Sequence, residues 1–323
     1  MALRLDIGLA QAGVAQLIFV NMKYITCSDE SRYTYWQIKV LVSNLREKGI
    51  KDDDIYVVLG TSGWNKYQAE FDRFIKGVNI IRYRDTSNKI YKASVKPFLL
   101  WKFFEQFTHE VENQWCYLDY DCILHKKLGK FKKGTIYCTD TRGYTGYDYI
   151  SGKGEYPMEA ICKLGGITSE TLKDNDEGAG GAQYVFDNVL ASTWRDIYYN
   201  SLHIFFGLTN DKESQTKPAH HDHGLQIWTS EMWATTWGFW KAGHETKIDK
   251  RLTMAMSSES MENLKRAKII HNSGVTWNMG ERFLKKDMFK TKDPLQHEDI
   301  SDVLDKDLVG YHYYKYARKV LKP

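Results

Sequence analysis

Short apolar, β-branched runs alternate with amphipathic stretches along the first third of the chain. Residues 15–21 (Ala-Gln-Leu-Ile-Phe-Val-Asn) predict a buried strand. From Tyr33 to Lys48, Trp36, Val40, Leu41, Asn44 and Leu45 recur at helical spacing, and Gly49 stands at the natural stop. Asp54 to Gly60 predicts a second strand, Gln68 to Lys76 a short helix, and Val78 to Tyr83 a third strand. Ala93 to His109 predicts a helix opened near Pro97, with Leu99, Leu100, Phe103, Phe104 and Phe107 on its apolar face. Trp115 to Leu118 is the fourth predicted strand. Strands alternating with helices imply an α/β fold with a mostly parallel sheet flanked by helices. The runs lack polar alternation, as strands covered on both faces do. Ligands of such folds sit outside the carboxyl ends of the strands.

The pattern changes after residue 125. Tyr144 to Tyr156 is rich in Gly and Tyr and reads as a loop. Asp174 to Gly181 is acidic, then glycine-rich. Gln183 to Trp194 reads as strand then helix, Asn210 to Gly224 as a polar loop, and an aromatic segment follows to Trp240. Ala267 to His271 predicts a last buried strand. Beyond Gly280 the chain is charged and ends in a tail with Tyr311, Tyr313, Tyr314 and Tyr316. The expected organisation is a main domain over 1–280, with halves of about 1–124 and 125–280, and a C-terminal extension over 281–323 packed on or near it. No internal repeat or low-complexity segment is visible.

The chain has 323 residues, 42% hydrophobic and 27% charged, which suits a globular protein and excludes a disordered one. Its five cysteines are an odd number without a Cys-x-x-Cys pair, so a reducing compartment fits better than a disulfide framework. The start is interrupted by Asp6, Gln11 and Gln16 and does not read as a signal peptide. No apolar run reaches the ~18 residues of a membrane span. A cytoplasmic location, without a membrane partner, is the expectation. Net charge is only +4. Its distribution says more: Lys126, Lys127, Lys130, Lys132 and Lys133 crowd one stretch, and Lys285, Lys286, Lys290 and Lys292 another. Each could be a solvated face or a grip on phosphates.

Candidate chemistry is concentrated in four places. In Trp115-Cys-Tyr-Leu-Asp119-Tyr-Asp121, two carboxylates lie two residues apart at the end of an apolar strand, and so share a face. A hard divalent cation takes such oxygens and keeps positions for phosphate. The same letters also suit an Asp turn closing a strand. His271 follows an apolar strand and precedes Gly274, from where it could reach the same ion. Gly180 and Gly181, ahead of Gln183, allow close approach of backbone to a ligand. Glu231 stands among Trp228 and Trp233, five residues after Gln226. It is either the outer face of a packed helix or a buried acid suited to proton transfer. The run His220, His221, Asp222, His223 is a poor zinc site, because consecutive side chains cannot face one ion.

In this order the parts resemble the GT-A-fold glycosyltransferases that use nucleotide sugars: Phe19-Val-Asn21, Lys96-Pro97, Asp119-Tyr-Asp121, Gly180-Gly181-Ala-Gln183, Gln226 to Glu231, and His271. The flavour is that of the retaining group with hydroxyproline-arabinosyl- and serine-galactosyltransferases, and more distantly glycogenin. The His-x-x-Gly-x-x-Lys-Pro-Trp ending of glycogenin is reduced here to His271-Asn-Ser-Gly274, with Trp277 but no Lys-Pro, so the diphosphate lysine has no assigned equivalent. The resemblance implies that Asp119, Asp121 and His271 hold Mn²⁺ or Mg²⁺, and that Val20, Asn21 and Lys96 contact the nucleoside or phosphate of a UDP-sugar. Gly180, Gly181 and Gln183 would then line donor sugar and acceptor, with Glu231 and Gln226 on the acceptor side. The expected activity is sugar transfer to a hydroxyl, with a hydroxymethylated base in double-stranded DNA, as in bacteriophages and so in a host cytoplasm, put first as acceptor. The five lysines from Lys126 to Lys133 would grip its phosphates. Protein, lipid or polysaccharide acceptors are the alternative, and a non-catalytic nucleic-acid-binding module is the third reading.

Overall fold

The structure is a computed structural model and describes residues 22–210 and 224–322. Its centre is a seven-stranded sheet. Five of its strands lie in the first half of the chain: β1 (Lys23–Asp29), β2 (Ile55–Thr61), β3 (Asn79–Arg84), β4 (Trp115–Tyr117) and, beyond a short β5 (Cys122–Leu124), β6 (Ile136–Asp140). β7 (Gly180–Phe186) and β8 (Thr246–Ile248) complete it. The order is β3-β2-β1-β4-β7-β6-β8. β3, β2, β1 and β4 run parallel, and β7 is antiparallel to both β4 and β6. A second sheet places β10 (Ile269–His271) between β5 and β9 (Met254–Met256).

Side-chain alternation gives the main sheet two apolar faces. Ile25, Cys27, Val58, Trp115 and Tyr117 face a core with α3 (Val95–Gln106). Tyr24, Val57, Leu59, Cys116 and Leu118 face α1 (Arg32–Glu47) instead. Ser31 caps α1, exchanging hydrogen bonds with Thr34, and Gly49 at φ 82° turns the chain away after it. α2 (Gln68–Phe74) covers the β2–β3 side through the stack of Phe71 on Tyr35.

Two expectations change, and one cannot be compared. The predicted strand 15–21 lies outside the described residues, and the first described strand is β1, whose Thr26 and Ser28 disguise a buried run. The Gly- and Tyr-rich stretch 144–156, read as a loop, joins short helices: α4 (Arg142–Thr145), α5 (Tyr147–Ser151) and the start of α6 (Glu155–Gly165). Gly146 and Gly154 punctuate them without preventing them. After α7 (Ser169–Asp174), the second half is built on α8 (Ala191–Asn210) and α9 (Ser230–Lys241). The Tyr-rich tail forms α10 (Val309–Leu321), whose Tyr313 and Tyr314 are fully buried in a core with Trp36 and Val40 of α1. The polar run 210–224 falls almost wholly among residues not described. No helix of the described residues is long and apolar enough to cross a membrane.

Candidate active site

β4 is short because Leu118 is the last residue before the chain turns, and the turn carries Asp119 and Asp121. It lies at the carboxyl ends of the parallel strands, where α/β sheets present ligand sites. β5 pairs antiparallel with β10 so that Cys122 stands opposite His271. That register brings the His271 imidazole to the aspartates: Nε2 lies 3.2 Å from Asp121 Oδ1 and 3.6 Å from Asp119 Oδ2. The three residues expected to share an ion therefore converge.

β7 enters beside them, antiparallel to β4, with a register shift against β6 after Cys138. Ala182, at φ 63°, sits in the extra stretch. This bulge re-aims Gln183 inward. Gln183 is fully buried and donates to Asp119 Oδ2 at 3.3 Å and to Cys122 Sγ at 3.3 Å, while Thr139 donates to its Oε1. Tyr117 OH donates to the other Asp119 oxygen at 2.9 Å. Gln183 thus orients Asp119 from below. Gly180 is required by close approach, since a Cβ there would meet the backbone Thr139 O at 2.5 Å, whereas at Gly181 the nearest atom is the movable tip of Met232 at 2.5 Å.

Lys96, expected at the nucleoside, is paired elsewhere. It opens α3, and its Nζ lies 2.9 Å from Glu231 Oε2 in the first turn of α9, with side chains 9% and 5% exposed. The ammonium also faces the Tyr117 ring at 4.9 Å. Thr235 donates to Glu231 Oε1 at 2.8 Å. Burial pulls the Lys96 amine down, but the Glu231 and Asp119 carboxylates outweigh it and keep the ammonium charged. Burial pushes the Glu231 carboxyl up, and Lys96 and Thr235 offset only part of that. Tyr91 staples this arrangement: its OH accepts from Glu231 N at 2.7 Å and donates to Trp228 O at 2.8 Å. Glu231 is therefore the buried acid among aromatics, and not an exposed helix face.

Gln226 is exposed, and its backbone N–H donates to Tyr149 OH at 2.9 Å. No described contact joins it to the carboxylates. Val20, Asn21 and the histidines 220–223 lie outside the described residues. Lys126 to Lys133 do not adjoin the site. The loop that bears them runs past the amino end of β4, where Lys133 donates to Glu112 O and Gln114 to Phe131 O. β5 carries the chain away from the aspartates before the lysines begin, and Lys126 donates to Lys265 O.

Lys286 was grouped with a phosphate-binding cluster, yet its Nζ lies 2.5 Å from Asp121 Oδ2. Fourteen residues of irregular chain separate it from His271, so no spacing rule could have found it. Burial opposes the Asp121 charge, but Lys286 first and His271 next hold its carboxyl well below the usual carboxylate range. The phenol of Tyr33, which faces both, is pushed up to about 12 by burial.

The donor set fits a divalent cation. Ligand atoms of Asp121, Cys122 and His271 lie within 4.8 Å of one another, Asp119 stands outside that group with its Oδ2 3.6 Å from His271 Nε2, and the second imidazole nitrogen, Nδ1, is buried without a partner. Burial pushes the Cys122 thiol well up, and sulfur is a softer donor than a hard cation prefers.

No protein-family model matches the chain, and no curated protein matches it. Solved structures do. The apo bifunctional glycosyltransferase WbbM aligns over 93% of this chain and 52% of its own, at 10% identity and TM-score 0.44; the chain spans about half of WbbM. The galactosyltransferase LgtC, with donor and acceptor sugar analogues, aligns over 94% of this chain and 97% of its own, at 10% identity and TM-score 0.47. An active-site mutant of LgtC aligns over the same shares at 12% identity and TM-score 0.50. The chain has the mixed α/β fold of the GT-A glycosyltransferases, a mainly parallel seven-stranded sheet flanked by helices.

Proposed function

We propose that the protein is a glycosyltransferase that moves a sugar from a nucleoside-diphosphate sugar to a hydroxyl acceptor. The observation that carries this reading is the convergence of Asp119, Asp121 and His271 at the carboxyl end of β4 in a GT-A fold. These three residues would hold a divalent cation, Mn²⁺ or Mg²⁺, which when bound stabilises charge on the departing diphosphate. Tyr117 and Gln183 fix Asp119, so the carboxylate is aimed before the donor arrives. Glu231 has both oxygens engaged and is sealed from water, which suits a fixed negative charge beside the sugar better than a mobile proton acceptor. Tyr144 lies where it feels the Asp119 charge, and its ring stacks with Trp228, which is 62% exposed. That pair offers a flat platform on which an acceptor ring can lie.

The test is a screen of UDP-sugars and other nucleotide sugars with Mn²⁺, scoring nucleoside diphosphate release and transfer to glycans, peptides, lipids, hydroxymethylated DNA and plain DNA. A protein that neither binds a nucleoside diphosphate nor consumes any donor sinks the reading. For the DNA acceptor put first by the sequence, the lysine placement sets a sharper condition. Replacing Lys130, Lys132 and Lys133 by Gln should reduce the slope of log DNA affinity against log salt by roughly 2–3. Transfer to a small acceptor should be unchanged, because these residues are remote from the aspartates. An unaltered salt slope would remove the DNA reading's remaining support.

Glu231 also sets a pH dependence. Its role requires the ionised form, and its pKa is raised by burial. Activity should therefore fall on acidification along a limb lying above the ~4.3 of an ordinary glutamate. In Glu231→Gln the rate should be low throughout and this limb should vanish. A wild-type limb at or below that ordinary value would contradict the assignment.

A further inference from the structure

Lys286 is held in a way that separates its backbone from its side chain. On one side Leu284 is 3% exposed, and on the other Phe289 is 1% exposed. Both belong to the core of Trp36, Val40 and Tyr314, and the Trp36 indole donates to Phe289 O at 3.3 Å. The turn Lys286–Phe289 is thus pinned to α1. The lysine side chain itself remains 28% exposed, whereas the Asp121 side chain it covers is 6% exposed. A pinned base carrying a long, partly open side chain can redirect its ammonium by rotation about its own bonds, without moving the chain.

We propose that Lys286 is a displaceable counter-ion. Its ammonium neutralises Asp121 while no donor is bound and passes to the diphosphate of an arriving donor, so that metal and nucleoside diphosphate bind cooperatively. This rests on the nucleotide-sugar reading given above. The charges facing one another include the carboxylates of Asp119 and Asp121, the His271 imidazole and the Lys286 ammonium, with the Tyr33 phenol and the Asp287 carboxylate beside them. Lys96 and Glu231 already satisfy each other. With the ammonium on Asp121 Oδ2, an incoming divalent cation meets a half-neutralised pair and a like charge at contact distance. A diphosphate carries acceptor oxygens and negative charge to which the ammonium can transfer. Once it does so, the charge of Asp121 is no longer offset. Whatever factor the ammonium costs the metal, the diphosphate restores, and by linkage the metal raises diphosphate affinity by the same factor.

The experiment uses the full chain as wild type, Lys286→Met and Lys286→Arg. Binding of Mn²⁺ alone is measured by electron paramagnetic resonance of the free ion, then repeated with UDP present. In Lys286→Met, Mn²⁺ alone should bind roughly tenfold or more tightly than in wild type. UDP should tighten Mn²⁺ binding in wild type by a similar factor, and that coupling should shrink towards one in Lys286→Met. Lys286→Arg keeps the charge and should hold Mn²⁺ affinity near the wild-type value. Melting temperature gives a second readout: Mn²⁺ should raise it more in Lys286→Met than in wild type. If Lys286→Met binds Mn²⁺ no more tightly than wild type while UDP still binds, the proposal is overturned and the donor reading stands. If Mn²⁺ tightens in Lys286→Met but UDP binds none of the proteins, the donor reading falls, and the transfer of the ammonium to a diphosphate is overturned with it.

Discussion

Asp119→Asn should reduce kcat/KM for sugar transfer by about a hundredfold or more, the scale expected when a cation ligand or a preorganised charge is lost. The replacement is nearly isosteric. Its side-chain oxygen can still accept from Tyr117 OH and the Asp119 side chain is 25% exposed, while Gln183 loses its acceptor at Oδ2 but keeps Cys122 Sγ, so the cost to the fold is small. Thermal melting should move little. Asp121→Asn should be as damaging to transfer, but it differs structurally. It removes the charge that pairs with Lys286 and faces His271, in a side chain only 6% exposed. Some loss of stability should therefore accompany the loss of activity, and circular dichroism melts must be read beside the kinetics. Both variants retaining activity within about threefold of wild type, on a scale where a cation supplies several kcal/mol, would falsify the metal assignment.

The elements that were legible in the sequence share a physical reason. α1, β2, α2, β3, α3 and β4 are local patterns: an apolar run or a helical stripe records the burial of one segment against its neighbours. Asp119 and Asp121 were visible because they end such a run, and His271 because it ends another. Their meeting was not a local fact. It depends on β5 pairing with β10, a register that joins distant segments. The roles of Lys96, Gln183 and Lys286 failed to show for the same reason. Lys96 reads as a contact to the nucleoside or phosphate until α9 supplies Glu231. Gln183 looks like a pocket wall until a bulge turns it under Asp119. Lys286 sits in a lysine-rich run that reads as surface until the C-terminal segment folds back on α1. β1 was missed because Thr26 and Ser28 are polar letters at buried positions. The lysines from Lys126 to Lys133 misled in the opposite direction: nearness in sequence to Asp121 suggested nearness in space, and a three-residue strand carries them away.

The Lys96–Glu231 pair gives the second large effect, on stability. Breaking a buried ion pair leaves an uncompensated charge, at a typical cost of ~3–5 kcal/mol. Lys96→Met strands the Glu231 carboxylate, with Thr235 as its remaining side-chain donor, and should cost about that much in urea unfolding. Glu231→Gln strands the ammonium instead, against the faces of Tyr117 and Tyr184, which soften the loss without replacing the charge. Its expected cost is somewhat smaller. The double variant Lys96→Met with Glu231→Gln removes both charges while keeping the Thr235 contact. It should be more stable than the sum of the single effects predicts, by about 1–3 kcal/mol. The wild-type pair also has a pH signature. The Lys96 pKa is raised in the fold, so its contribution is complete below the ~10.4 of a free lysine and is lost as pH rises through the folded value. The alkaline loss should be absent from Lys96→Met. Strict additivity of the two single variants would show that the charges do not depend on each other, and Glu231 would then lose its claim to be a fixed charge held in place for the reaction.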